Sequence, residues 1–251
     1  MSDRPEDRLD TRPTRIPKFR DVQQKRAVRV VHASSLRAKT AAGADEDGVS
    51  AQAPQDDPQD TLVLRAYAFA EAAHRGQRRK DDRAFIAHPV RVARLLAARG
   101  YDEEVVAAAL LHDVVEDTPV TLDEVRKRFG ARVADLVACV TEDPDLPMGE
   151  RKRAYRESVR RSPLAARAIC AADKVCNVSD LREAASDSAE QVLARFAGGL
   201  DAQVKRFSAE LSMLEESGTD RGLRDAMRVE LGVLRIQARR HAAAPRQRRT
   251  R

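Results

Sequence analysis

The run LLHDVVED at Leu110 to Asp117 closes an apolar stretch with one histidine and three carboxylates, His112, Asp113, Glu116 and Asp117. On one continuous helix, residues four apart share a face, so His112 is expected over Glu116 and Asp113 over Asp117. Acids this crowded repel unless they stay hydrated or a cation organises them, and imidazole with carboxylates suits a divalent ion such as Mn, Fe or Zn. His112 and Asp113 supply two ligands, and a metal site needs more. Two further groups of the right type are His88, in FIAHPVRVARLL, and Asp173, in AICAADKVCNVSDL. Alone, His88 reads as a hydrogen-bonding residue at a helix entry and Asp173 as the ion-pair partner of Lys174 or Arg167, since an unpaired carboxylate in so apolar a run costs several kcal/mol. Jointly, His88, His112, Asp113 and Asp173 make a four-ligand set. His32 and His241 lie in tail-like sequence, and His74 reads as a surface or packing residue at the end of its helix.

These groups need helices to hold them. The chain has 251 residues, 42% of them hydrophobic but only 4% aromatic, with no Trp. Ala and Leu dominate the apolar set, which favours helices packed on helices over a β-sandwich. Helical spacing starts at Thr61 and closes at Gly76, resumes from Pro89 to Gly100, and resumes again, capped by Asp102, from Glu103 to about Val115. A capping box at Thr121 and Glu124 opens the next helix, which Gly130 stops, and further helices are predicted near 131–141, 149–161, 163–182, 189–216 and 220–241. The fold class read from this pattern is all-α, a helical bundle over roughly 60 to 216 followed by a C-terminal helix and a basic tail, 217–251. Residues 1–58 mix both charges with Pro, Ala, Gln and Ser and read as a disordered extension, in which RAVRVVHASSL (26–36) is a short strand or helix at most.

The net charge of +6 suggests nucleic acid until it is located: Arg235 to Arg251 carries seven arginines and no acid, more than the whole excess. Such a tail can touch RNA, but a solvated end is the commoner outcome. Cys139, Cys170 and Cys176 lack CxxC spacing and disulfide density, so the reading is a reduced, cytoplasmic chain. No apolar run approaches a membrane span, and no signal peptide is recognisable.

Four segments, AHRGQRRK (73–80), FIAHPVRVARLL (85–96), AALLHDVVEDTPVTLDEVRKRFG (108–130) and AADKVCNVSDL (171–181), follow an order that resembles the HD-domain phosphohydrolases, specifically the alarmone hydrolases of the Rel/SpoT group. The stretch VTEDPDLPMGERKRAYRESV (140–159) is similar to the small metazoan-type SpoT homologues. The likeness spans about residues 60 to 210. It implies an HD-type domain over 59–216 that removes the 3′-pyrophosphate of ppGpp or pppGpp, as in the stringent response, with one Mn²⁺ on His88, His112, Asp113 and Asp173. It also implies Glu116 and Asp117 as the acid/base pair, nucleotide contacts by Arg79, Lys80 and Asn177, and hydrolase activity without a synthetase domain. Several positions depart from the family pattern: Asp82-Arg83-Ala84-Phe85 stands for a Gly-Glu-Pro-Tyr-like turn, and Met148, Cys176 and Ser179 replace a Lys, a His or Tyr, and an Arg.

The residues suit that chemistry. A polyanionic phosphoryl centre repels hydroxide, so its hydrolysis needs a metal and a carboxylate that orients or deprotonates water, a role open to Glu116 or Asp117 because neither is needed as a ligand. Lys152 and Arg153, in ERKR (150–153), add cations to Arg79 and Lys80, although alone that run reads as a solvated helix start. Two alternatives remain open: another phosphorylated nucleotide, such as NADPH with its 2′-phosphate, and a non-catalytic module binding nucleotide or RNA. The nucleotide is the expected partner, with no membrane.

Overall fold

The computed structural model describes residues 61–80, 82–186 and 198–243, and the expectations for 1–58, including the segment 26–36, lie outside these. Within them the chain is helical, and the β-pairing is an isolated bridge between Arg78 and Ala84. The helices are α1 (Leu62–Ala73), α2 (Ala87–Ala97), α3 (Glu103–Leu111), α4 (Val114–Asp117), α5 (Leu122–Phe129), α6 (Ala131–Val140), α7 (Met148–Arg161), α8 (Leu164–Ser186), α9 (Gly199–Glu216) and α10 (Arg221–Ala243).

Local signals set most boundaries. The side chains of Thr61, Asp102 and Thr121 accept the N–H groups of Leu64, Val105 and Glu124, satisfying donors that a helix start leaves unpaired. Only the threonine half of the box at 121–124 forms, because the Glu124 carboxylate is drawn to Arg128 one turn on. Pro89 falls inside the first turn of α2, which begins at Ala87, where a missing N–H is tolerated.

One boundary differs in a way that matters. The helix expected to run unbroken to about Val115 ends at Leu111; His112 and Asp113 form a turn, and α4 restarts the chain at Val114. His112 turns its ring back to donate from Nδ1 to the Ala109 carbonyl at 2.8 Å. The stacking of His112 over Glu116 on one straight face is therefore replaced by a bend.

Two apolar helices carry the core. In α3 every residue from Val105 to Leu111 is buried, the signature of a helix surrounded on all sides, and α1, α2 and α6 pack around it. In α8 the small residues Ala166, Ala168, Ala171 and Ala172 lie among buried Ile169, Val178 and Leu181, and α2, α3, α6, α7, α9 and α10 all approach it. The C-terminal helix, set apart from the bundle in the sequence reading, packs along α8, with Leu223, Met227, Leu231 and Leu234 at 0% exposure. Leu231→Ala is expected to lower unfolding free energy by about 2–5 kcal/mol in a denaturant titration, whereas an appended helix would leave it unchanged. No helix among the described residues is long and apolar enough to cross a membrane.

All three cysteines are free. Burial pushes the Cys170 thiol up to about 11 and the Cys176 thiol up to about 12, so both remain protonated at pH 8, and the thiolate is the reacting form. A thiol reagent at that pH is expected to modify the partly exposed Cys139 first, with the other two reacting only on unfolding; fast labelling of all three would contradict the packing around α8.

Candidate metal and phosphate site

Three helices converge on one point. His88 comes from the first turn of α2, His112 from the end of α3 and Asp173 from the middle of α8; all three are buried, and one ligand atom of each lies within 4.8 Å of the others. His88 Nε2 is 2.9 Å from Asp173 Oδ1, and the two imidazole centroids are 5.4 Å apart. Asp113, partly exposed in the turn after α3, brings Oδ1 to 3.2 Å from His112 Nε2.

The donor set calls for a cation. Because His112 Nδ1 donates to Ala109, a neutral ring leaves a lone pair on Nε2. That atom is buried without a hydrogen-bond partner, facing Asp113 Oδ1 at 3.2 Å and Asp173 Oδ1 at 3.9 Å. A lone pair opposed to two carboxylate oxygens is repulsive unless a positive centre lies between them. Protonating both rings would bury two adjacent imidazolium ions, and burial already pushes His88 below its usual range. A divalent ion would satisfy both Nε2 atoms and the Asp173 carboxylate with neutral imidazoles, so these three residues fit a metal, and Asp113 stands outside the close trio, beside His112.

The ion-pair reading of Asp173 holds beside the metal reading. Its Oδ2 accepts from Lys174 Nζ at 2.7 Å, while Oδ1 faces the histidines and also accepts from Asn177 Nδ2. Burial raises the Asp173 carboxyl, but the Lys174 ammonium and His88 outweigh it and hold the group well below the usual carboxylate range. Arg167, the alternative partner for Asp173, turns instead to the Ser217 carbonyl.

Glu116 and Asp117 sit on α4 at the solvent side of this cluster. Desolvation by the protein on one side is the largest cause raising both carboxyls; the Asp113 charge adds to it at each, and the Glu142 charge at Glu116. Glu116 Oε2 accepts the Glu142 N–H at 3.3 Å.

Beside them lies a small cleft, lined by Lys152, Tyr155, Arg156, Lys174, Asn177 and Arg206 among others. Lys152 reaches it and pairs with Glu142, whereas Arg153 is exposed on α7 and does not line it. Arg156 and Arg206 take that place, and sequence reading missed both: Arg156 is one turn beyond ERKR, and nothing local marks Arg206. Arg79 sits in a tight hairpin at the Arg78–Ala84 bridge, where Asp82 adopts φ 64°, a left-handed conformation that Asp tolerates. Its guanidinium donates to Asn177 Oδ1 at 2.8 Å and lies 3.4 Å from Asp180 Oδ2. Lys80 follows, exposed. Asp180, also missed, gathers Arg83 and Arg91 as well; its spacing from Asp173 and Asn177 on α8 was the available signal. Met148 is 77% exposed, and Cys176 is core.

Comparison with known proteins gives these features a context. The family model described as HD domain matches residues 66–200. The chain is 48% identical over 123 residues to guanosine-3′,5′-bis(diphosphate) 3′-pyrophosphohydrolase MESH1 of Homo sapiens, covering 47% of this chain and 69% of that one. It is 41% identical over 110 residues to the bifunctional (p)ppGpp synthase/hydrolase SpoT of Escherichia coli, covering 43% of this chain and 16% of SpoT. Among solved structures, a metazoan ortholog of SpoT reported to hydrolyze ppGpp superimposes with a TM-score of 0.56 at 30% identity, over 74% of this chain and 98% of that one. The lmo0812 protein of Listeria monocytogenes gives a TM-score of 0.52 at 37% identity, over 57% and 96% of the two chains.

Proposed function

Since the chain belongs to the HD-domain family, among the relatives of MESH1 and SpoT, we propose that it hydrolyses ppGpp and pppGpp to GDP and GTP, releasing the 3′-pyrophosphate. The observation that carries this reading is the buried, unpartnered His112 Nε2 facing two carboxylates, beside an acid pair and a cationic cleft. His88, His112, Asp113 and Asp173 would hold one divalent ion, which we take to be Mn²⁺. When bound, the ion would shield phosphoryl charge and acidify water.

The side chains account for the rest. Water adds to the phosphorus next to the ribose, the bond from that phosphorus to O3′ breaks, and O3′ leaves with a proton. Glu116 and Asp117, whose carboxyls are raised, are the groups suited to taking the proton of water and returning one to O3′. Arg79, Lys80, Lys152 and Asn177 would grip the nucleotide, Arg through paired N–H donors and Lys as a point charge. Arg156 and Arg206, which line the cleft, fit the same role, and exposed Arg153 contributes at most long-range attraction. The three free thiols suit a reducing, cytoplasmic setting.

Purified protein with Mn²⁺, offered ppGpp, pppGpp and NADPH separately, is expected to release pyrophosphate from the first two. Orthophosphate from NADPH, without pyrophosphate from ppGpp, would overturn the substrate while keeping the metal site. Metal bound with no release from any of the three would overturn the hydrolase itself.

A further inference from the structure

Gln77 makes two contacts that fix its own orientation. Its Nε2 donates to the main-chain carbonyl of Asp117 at 2.9 Å, an oxygen that can only accept, so Oε1 faces the other way. There it meets His74 Nδ1 at 2.9 Å. An amide oxygen also only accepts, so His74 Nδ1 carries a proton and is the donor. His74 is 3% exposed and its Nε2 has no hydrogen-bond partner. The ring stacks on Phe85 with centroids 4.3 Å apart and 17° between planes. The residue expected at the surface or in simple packing is thus a buried donor at the end of α1, one amide away from the acid pair.

The far side of that contact is equally constrained. Asp117 N–H donates to the Asp113 carbonyl at 2.9 Å, and Thr118 Oγ1 donates to the Val114 carbonyl. α4 is a single turn, too short to hold its shape unaided. The Gln77 amide ties its last residue to a different part of the fold. Main-chain pairing of Phe85 N–H with the Gln77 carbonyl at 3.1 Å roots Gln77 in the Arg79 hairpin, so the amide starts from a fixed base.

We propose that His74 and Gln77 are positioning residues for the acid/base pair: proton donation by His74 orients the Gln77 amide, which clamps the Asp117 main chain and so fixes where the Glu116 and Asp117 carboxyls stand. This rests on the hydrolase reading above. Neither residue touches the metal ligands or the substrate in this scheme. Both act through Asp117.

Isosteric variants separate the clamp from packing. His74→Phe keeps the stack on Phe85 and the burial but removes the donor; Gln77→Met keeps the length but removes both hydrogen bonds; His74→Asn returns an N–H near the Nδ1 position. With ppGpp and Mn²⁺, His74→Phe and Gln77→Met are expected to lower kcat by about 10- to 100-fold, the scale of an ångström-level misplacement. KM should stay within about twofold, as for loss of an interaction felt only in the transition state, with bound metal and melting temperature unchanged. His74→Asn is expected to regain most of the rate. A His74→Phe enzyme as fast as wild type, or a loss of kcat that tracks loss of metal or of fold, would overturn the proposal. Amide hydrogen exchange in the unliganded proteins gives a readout independent of turnover: Gln77→Met should speed exchange of the Asp117 amide while those of α3 and α8 keep their protection. If the wild type releases no pyrophosphate, the hydrolase reading fails, and unchanged exchange at Asp117 would separately defeat the clamp.

Discussion

Asp113→Asn is expected to abolish ppGpp hydrolysis at micromolar Mn²⁺ and to weaken metal binding by well over the roughly 10- to 100-fold that follows loss of a mere supporting partner. Asp113 is the partly exposed member of the proposed ligand set, 21% accessible against 4% for His112, so its replacement leaves the core intact. Its charge raises both Glu116 and Asp117, and removing it relieves that repulsion. Metal-free Asp113→Asn should therefore melt no lower than metal-free wild type. The difference appears on adding metal: an ion at 100 times its dissociation constant stabilises the wild type by about 2.7 kcal/mol, and the variant should show almost none of that gain. Calorimetric titration with Mn²⁺ and melting with and without chelator test this together. Wild-type affinity in the variant would remove Asp113 from the ligand set and, with it, half of the charge argument at His112.

The second large effect concerns protons. Glu116→Gln and Asp117→Asn, made separately, are expected to lower kcat by about 10²- to 10⁴-fold while retaining stoichiometric metal, the pattern that distinguishes proton transfer from ligation. The variant with the larger loss identifies the member that handles the proton of water. The pH dependence follows from the raised carboxyls. A group whose pKa is higher folded than unfolded contributes stability that is complete below its unfolded value and is lost as pH rises through its folded value. In metal-free protein, Asp117→Asn should thus raise the melting temperature at pH 7–8 and leave it unchanged near pH 3, below both values. A drop at neutral pH would mean that the Asp117 carboxylate makes a favourable contact, contrary to its surroundings. The Asp102 carboxyl, by contrast, is held below its usual range by the Val105 N–H and by Arg132, so the comparison belongs between variant and wild type at each pH, where that contribution cancels.

Much of this protein could be read before any coordinates. The caps at Asp102 and Thr121, the stops at Gly76, Gly100 and Gly130, and the apolar periodicity are short-range signals decided within a turn or two of chain, and α5, α6, α7 and α10 follow them closely. The types of group at His88, His112, Asp113 and Asp173 carried their chemistry with them, because two imidazoles and two carboxylates taken together suit a divalent ion.

What one dimension could not supply was convergence and choice. His88 and Asp173 stand 85 residues apart, and only the packing of α2 and α3 against α8 brings their atoms together. The bend at His112 depends on a carbonyl accepting its ring, not on any helix-breaking residue. Which cations reach the cleft was equally hidden: Lys152 enters it while its neighbour Arg153 points elsewhere, and Arg206 arrives on α9. His74 changed most, from a helix end to a buried donor, because burial is a property of what packs over a residue. Sequence neighbours determine hydrogen bonds that close within a few residues; the rotation of one helix on another determines the rest.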